Sequence, residues 1–118
     1  QLQFSLSHTA GAVACAISDS PCGVDIESVY RAVNLRIAKR FFTKQEIAYA
    51  VDSTRFLEIW TRKEAFIKCI GGIIQPLREI ETIGHSQIQT KNQNGFIVSF
   101  CCKNPQFSFC YLEQKDIL

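Results

Sequence analysis

DSTRFLEIWTRKEAFIKCIGG, residues 52–72, is the stretch on which the fold turns. At about 100° per residue its apolar side chains gather on one side. They are Phe56, Ile59, Trp60, Phe66, Ile67 and Ile70. Ser53 or Thr54 can cap its start, and Gly71 is a natural stop at its end. The spacing predicts a helix that lays this stripe on a core. Lys63 falls near the middle of the stripe, so it must snorkel out along its own stem or meet a negative partner. Glu64 and Lys68 lie at the stripe's edge, four residues apart. An ordinary surface pair worth about 0.2–0.5 kcal/mol is reason enough for both.

Outward from this helix, the chain changes period. On the N-terminal side, NLRIAKRFF (34–42) places Leu35, Ile37, Ala38, Phe41 and Phe42 on roughly one helical side. TKQE (43–46) has the spacing of a capping box, with Thr43 as N-cap and Glu46 reaching back, and it opens a helix through IAYAV (47–51). Before that, LQFSLSH (2–8) alternates apolar and polar residues, AVACAIS (12–18) is a more buried strand, and VDIE (24–27) is a third. These three predict an antiparallel meander, unless the PCG turn hides a crossover. Beyond the helix, IIQPLREIET (73–82) is irregular around Pro76. SQIQTK (86–91), GFIVSFCC (95–102) and FSFCYLE (107–113) are three more strands, separated by NQNG and KNPQ turns. Strands, helices, strands is an α+β plan, with helices packed on one face of an antiparallel sheet. At 118 residues, 1–118 is expected to be a single domain.

Composition excludes several classes. A net charge of +2 and the lack of a basic block interleaved with aromatics argue against nucleic-acid binding. No apolar run reaches about 18 residues, so no membrane span is expected. The opening QLQFSLSHT lacks a basic region followed by an apolar one, so no signal peptide is expected. The chain contains no Met, so Gln1 is not expected to be the first residue of the gene product. Six cysteines invite a disulfide reading: Cys15, Cys22, Cys69, Cys101, Cys102 and Cys110. Nearly half the residues are apolar, so the core needs no staples, and no Cys-x-x-Cys pair points to structural zinc. Buried reduced thiols in a cytoplasmic protein are the expectation, with Cys15, Cys101 and Cys110 acting as small hydrophobes.

The chemistry concentrates in CGVDIESV, residues 22–29. Asp25 and Glu27, two apart on a strand, point to the same face. Unpaired, two such charges repel and raise one pKa. A Mg²⁺ ion removes the repulsion, since it favours one or two carboxylates plus waters and substrate phosphates. Glu64, on a helix that must cover the sheet, is the candidate third acid. An exposed strand face near a turn explains Asp25 and Glu27 equally well when they are taken alone. His8 ends the first strand beside Ser7; a surface or capping role is sufficient, and both are suitable donors to a phosphate.

GVDIE (23–27), FFTKQE (41–46) and WTRKEAFIK (60–68), in this order and at these separations, resemble the signature set of the 4'-phosphopantetheinyl transferase superfamily. FSLSHTAGAVACAIS (4–18) resembles the stretch that leads into that set in its Sfp-type branch. The resemblance covers residues 4–70. It implies Mg²⁺-dependent transfer of the phosphopantetheine arm of coenzyme A to a serine of an apo acyl or peptidyl carrier protein, releasing 3',5'-ADP. The carrier would be of fatty-acid, polyketide or peptide-synthetase type. Asp25, Glu27 and Glu64 match the family's metal-binding acids. Lys68 matches the lysine that meets the pyrophosphate, with Lys63 adding positive charge nearby. Ser7 and His8 match residues that contact coenzyme A phosphates. Glu64 or Glu46 would accept the seryl proton, although the capping box alone accounts for Glu46. Sfp-type enzymes are pseudo-dimers of two similar halves, and this sequence resembles the second half only. The small holo-acyl-carrier-protein synthases are trimers of about this length, but they carry the SH stretch after the KEA helix. The chain is therefore read as a homo-oligomer whose partner completes the cleft, with a piece of a longer chain and a relative without activity as the other accounts. A non-catalytic module that binds coenzyme A or a carrier protein is the alternative function.

Overall fold

A computed structural model describes residues 1–103. The decisive helix is present as α3 (Ser53–Ile70) and governs the packing of everything else. Its N-cap is Asp52, one residue ahead of the expected Ser53 or Thr54. Asp52 has the extended backbone a cap requires, and its carboxylate accepts from the Arg55 N–H at 2.8 Å. Gly71 ends the helix in the left-handed region (φ 84°), as expected of it, and its N–H bonds to the Ile67 carbonyl. The buried face differs from the expected stripe. Phe56 and Ile59 are buried, but Leu57, Thr61, Lys63 and Ala65 join them and Ile70 is exposed. The reason is that α3 is covered on two sides, so one amphipathic stripe underestimates its contacts.

Upstream, the expected helix over 34–42 is a 3₁₀ turn (Leu35–Ile37) running into a single helical turn, α1 (Ala38–Phe41). The capping box holds as expected: the Glu46 N–H donates to the Thr43 hydroxyl at 3.1 Å, and Glu46 Oε1 accepts from the Thr43 N–H at 2.9 Å. It opens α2 (Lys44–Tyr49), which stops two residues before the expected end. Phe42, Phe56 and Leu57 pack with Ile59 and Ile97 as the core between these helices and the sheet.

The strands are β1 (Gln3–Thr9), β2 (Ala12–Ser18), β3 (Cys22–Ser28), β4 (Ile88–Gln93) and β5 (Phe96–Cys102). They form two sheets, an antiparallel β1–β2 hairpin and an antiparallel sheet in the order β3-β5-β4. Asn94 (φ 55°) and Gly95 (φ 81°) form the tight β4–β5 turn. The expected strand at 107–113 and Cys110 lie outside the described residues. The α+β plan stands, but the meander does not. β3 pairs with β5, and it is β1 that lies along its other edge, in the same direction. No ladder joins them. Instead the Ser5 and Ser7 hydroxyls accept from the Val24 and Ile26 N–H groups at 3.1 and 3.2 Å. Serine at every second position thus satisfies an edge strand whose amides would otherwise be orphaned.

The two faces of β3 part company. Cys22 and Val24 pack with Ala16, Phe100 and Cys102 under the hairpin. Gly23, Asp25 and Glu27 face the opposite way, towards α3. Cys22, Cys101 and Cys102 are buried, Cys69 is half-buried, and Cys15 is exposed, against expectation, because it points away from β3. No helix among the described residues is long and apolar enough to cross a membrane.

Candidate active site

Gly23 decides how close α3 comes to β3. A Cβ there would lie 2.0 Å from the Ala65 carbonyl oxygen and 2.7 Å from the Cys69 amide nitrogen. Only glycine permits that approach. Further along α3, Thr61 bonds to Ser99 at 2.7 Å, and Ser99 to Thr90 at 2.8 Å, so a chain of hydroxyls ties the helix to β5 and β4.

The close approach lowers Lys68 onto the edge of β3. Its ammonium donates to the Val24 carbonyl at 2.9 Å and the Leu6 carbonyl at 3.3 Å, and it lies 3.6 Å from Asp25 Oδ1. The expected surface pair with Glu64 does not form among the described residues; Lys68 turns to the sheet instead. The Ser7 hydroxyl donates to the same Asp25 oxygen at 3.0 Å. Burial pushes the Asp25 carboxyl up to about 6 although Lys68 and Ser7 pull it down, and the nearby Glu64 adds to the rise. Glu27, on the same face, is ion-paired to Arg31.

Among the described residues no three His, Cys, Asp or Glu side chains are drawn together as a ready-made metal site. The donor chemistry nonetheless fits Mg²⁺. Asp25 and Glu27 are carboxylates on one face of β3, and Asp25 is part-buried and held above its ordinary range by that burial.

Two expected residues are taken elsewhere. Lys63 and Glu46 are both in the interior, their charged atoms 2.8 Å apart. Lys63 also donates to the Leu77 and Ile80 carbonyls, each at 2.6 Å. Glu46 Oε2 accepts from the Thr82 N–H at 2.9 Å and its hydroxyl at 2.5 Å. Lys63 therefore has the negative partner its position demands, and the structure places Lys63 and Glu46 on residues 77–82 rather than beside Asp25. His8 is not brought to Asp25 either. It follows Ser7 on the strand, so it points to the opposite, exposed face of the hairpin. Arg31 was not anticipated; its signal is a cation four residues beyond Glu27 across a turn. The role of Gly23 was equally unmarked, since a close approach leaves no trace in periodicity.

The model of the 4'-phosphopantetheinyl transferase superfamily matches residues 21–116. The chain belongs to this superfamily. Among its superfamily relatives, the 4'-phosphopantetheinyl transferase gsp of Aneurinibacillus migulanus is 35% identical, over 75% of this chain and 40% of the relative. Sfp of Bacillus subtilis (strain 168) is 38% identical, over 63% of this chain and 36% of its own. AcpT of Escherichia coli (strain K12) is 34% identical, over 77% and 51%. The chain thus spans about half or less of the curated relatives it matches. The crystal structure of Thermotoga maritima holo-[acyl-carrier-protein] synthase (AcpS) shares the fold, with a TM-score of 0.53 at 17% identity over 68% of this chain and 60% of that one. The superfamily match takes in Asp25, Glu27, Glu64 and Lys68, whereas Ser7 and His8 precede it.

Proposed function

We propose that this chain carries the metal and pyrophosphate site of a 4'-phosphopantetheinyl transferase. It would move the phosphopantetheine arm of coenzyme A to a serine of an apo carrier protein. The single observation that supports it most is the placement of the Ser7 hydroxyl and the Lys68 ammonium on the part-buried Asp25, within a chain of this superfamily. Mg²⁺ held by Asp25, Glu27 and Glu64 would neutralise the charge of the pyrophosphate. Lys68, already positioned beside Asp25, supplies the second positive charge to a phosphate oxygen, and the Ser7 hydroxyl supplies a donor. The carrier's seryl oxygen forms a bond to the phosphorus bearing the pantetheine arm, and the bond to 3',5'-ADP breaks. Glu64 takes the seryl proton, directly or through water. His8, exposed at the end of its strand, is assigned to a more distant phosphate of coenzyme A. The free thiols among the described residues suit a cytoplasmic setting.

A second copy of the chain is proposed to complete the cleft. The outer face of the hairpin is apolar and exposed: Leu2 70%, Phe4 70%, Leu6 57%, Val13 74% and Ile17 66%. A continuous patch of this kind marks an interaction surface. Sedimentation of the chain and of Leu6→Lys tests it: self-association that the lysine abolishes is expected, and a monomer in both contradicts it.

The function is tested by incubating the protein with an apo carrier protein, coenzyme A and Mg²⁺ and weighing the carrier. A mass gain of one phosphopantetheine is expected, lost in Asp25→Ala and Glu64→Ala while both remain folded. Full activity in both variants would remove the metal assignment. Coenzyme A binding that ignores Mg²⁺, without transfer, would favour a non-catalytic module.

A further inference from the structure

Each β3 acid in this site is held by one cation, Asp25 by Lys68 and Glu27 by Arg31. The two cations differ in how they are mounted. Lys68 is pinned by the Val24 and Leu6 carbonyls as well as by Asp25. Arg31 has a fixed backbone and a loose side chain. Its N–H bonds to the Ser28 carbonyl at 3.1 Å, the Tyr30 N–H to the Ser28 hydroxyl at 3.2 Å, and the Val29 N–H to the Gly95 carbonyl at 2.9 Å. That turn anchors residue 31 at the end of β3 against the β4–β5 turn. The side chain beyond it is 48% exposed, whereas that of Glu27 is only 14% exposed.

A planar guanidinium on a fixed base, half in water, is suited to exchanging one oxyanion for another. Glu27 cannot serve a divalent cation and Arg31 at once at full strength. Whatever cation takes Glu27 therefore frees a half-exposed arginine next to that carboxylate.

We propose that Arg31 is an exchanging arm: it holds Glu27 in the metal-free protein and moves to a phosphate oxygen of the incoming ligand when a divalent cation claims that carboxylate. This rests on the proposed metal and pyrophosphate site, and it assigns a ligand-binding role to a residue outside the three motifs.

The experiment compares the full chain with Arg31→Ala in two titrations, Mn²⁺ alone followed by electron paramagnetic resonance, and coenzyme A in Mg²⁺ followed by calorimetry. Arg31→Ala is expected to bind Mn²⁺ alone about two- to fivefold tighter, because a part-exposed pair no longer has to break. It is expected to bind coenzyme A in Mg²⁺ about tenfold more weakly, the scale of one lost charge-assisted hydrogen bond. These opposite signs are what a merely structural surface pair would not produce. Equal affinities in both titrations, or both weakened, would overturn the role of Arg31 and leave the wild-type site intact. Failure of the wild-type chain to bind either ligand would overturn the site itself.

Discussion

Replacing Lys63 by methionine separates a structural from a ligand-binding lysine. Methionine matches the length of the stem and removes the ammonium. In the structure that ammonium is 2.8 Å from Glu46 Oε1 and donates to two carbonyls, and the two side chains are 2% and 0% exposed. Its removal leaves a buried carboxylate with its remaining donors, the Thr43 N–H and the Thr82 N–H and hydroxyl, and leaves the Leu77 and Ile80 carbonyls with one partner fewer. Breaking one side of such a pair costs about 3–5 kcal/mol. Against a typical total of about 5–15 kcal/mol this is severe. Burial also lowers the Lys63 ammonium below the ordinary lysine range in spite of Glu46, so desolvation outweighs the attraction. The double replacement Lys63→Met with Glu46→Gln should therefore cost less than Lys63→Met alone, with a coupling of about 2 kcal/mol. Urea unfolding followed by circular dichroism measures all four corners of the cycle. Coenzyme A affinity, read by calorimetry in the cold on folded protein, should change little in Lys63→Met. An unchanged unfolding midpoint together with lost coenzyme A binding would refute the reasoning and return Lys63 to the ligand.

Gly23→Ala should cost about 1–3 kcal/mol by overpacking and weaken coenzyme A binding further than the stability loss explains, because α3 must back away and carry Lys68 with it; calorimetry beside thermal unfolding checks this. Asp25→Asn should stabilise the metal-free chain near neutral pH. The Asp25 carboxyl rises from 3.8 to about 6 on folding, so the folded state holds the proton more tightly, and wild-type stability declines as pH climbs through that interval and is flat above it. At about 1.4 kcal/mol per tenfold in proton affinity the decline is at most about 3 kcal/mol; unfolding of both proteins at pH 4, 5, 6 and 7.5 should show the difference growing with pH, and a constant difference would count against it. Ser5→Ala should cost about 1–3 kcal/mol by orphaning the Val24 N–H, yet leave transfer activity in place, since Ser5 does not touch Asp25.

Much of this molecule is written locally. The α3 helix and its Gly71 stop, the Thr43–Glu46 box and the Asn-Gly turn each depend on residues within a few positions, and each stands in the structure where its spacing puts it. So does the shared face of Asp25 and Glu27, because strand alternation is local. What escapes the sequence is pairing at a distance. The position of Lys63 demands an anion, and Glu46 has a sufficient reason to exist as a cap, but nothing in the intervening residues joins them. Two hydroxyls replacing a β-ladder between β1 and β3 are likewise invisible, since alternating serines look the same on a wet strand face. The divergence of Ser7 and His8 is a different case: consecutive strand residues face opposite ways, and the alternation itself separates them.

The same long-range contacts explain why fold and site cannot be varied independently here. Lys68 bonds to backbone carbonyls of two strands that do not form a ladder, so it closes the seam between the sheets while sitting 3.6 Å from the acid it serves. Ser7 does likewise, accepting from β3 and donating to Asp25. Against these, Asp25 is a cost: burial raises its carboxyl, and Glu64 raises it further. A carboxyl kept in a place that disfavours its charge, flanked by two residues that tie the strands together, is better suited to receiving a cation than to stabilising the fold. Stability is supplied by the apolar interior of Phe42, Phe56, Leu57, Ile59 and Ile97, on residues other than those that face the proposed ligand, which leaves the acids of β3 to be arranged for binding.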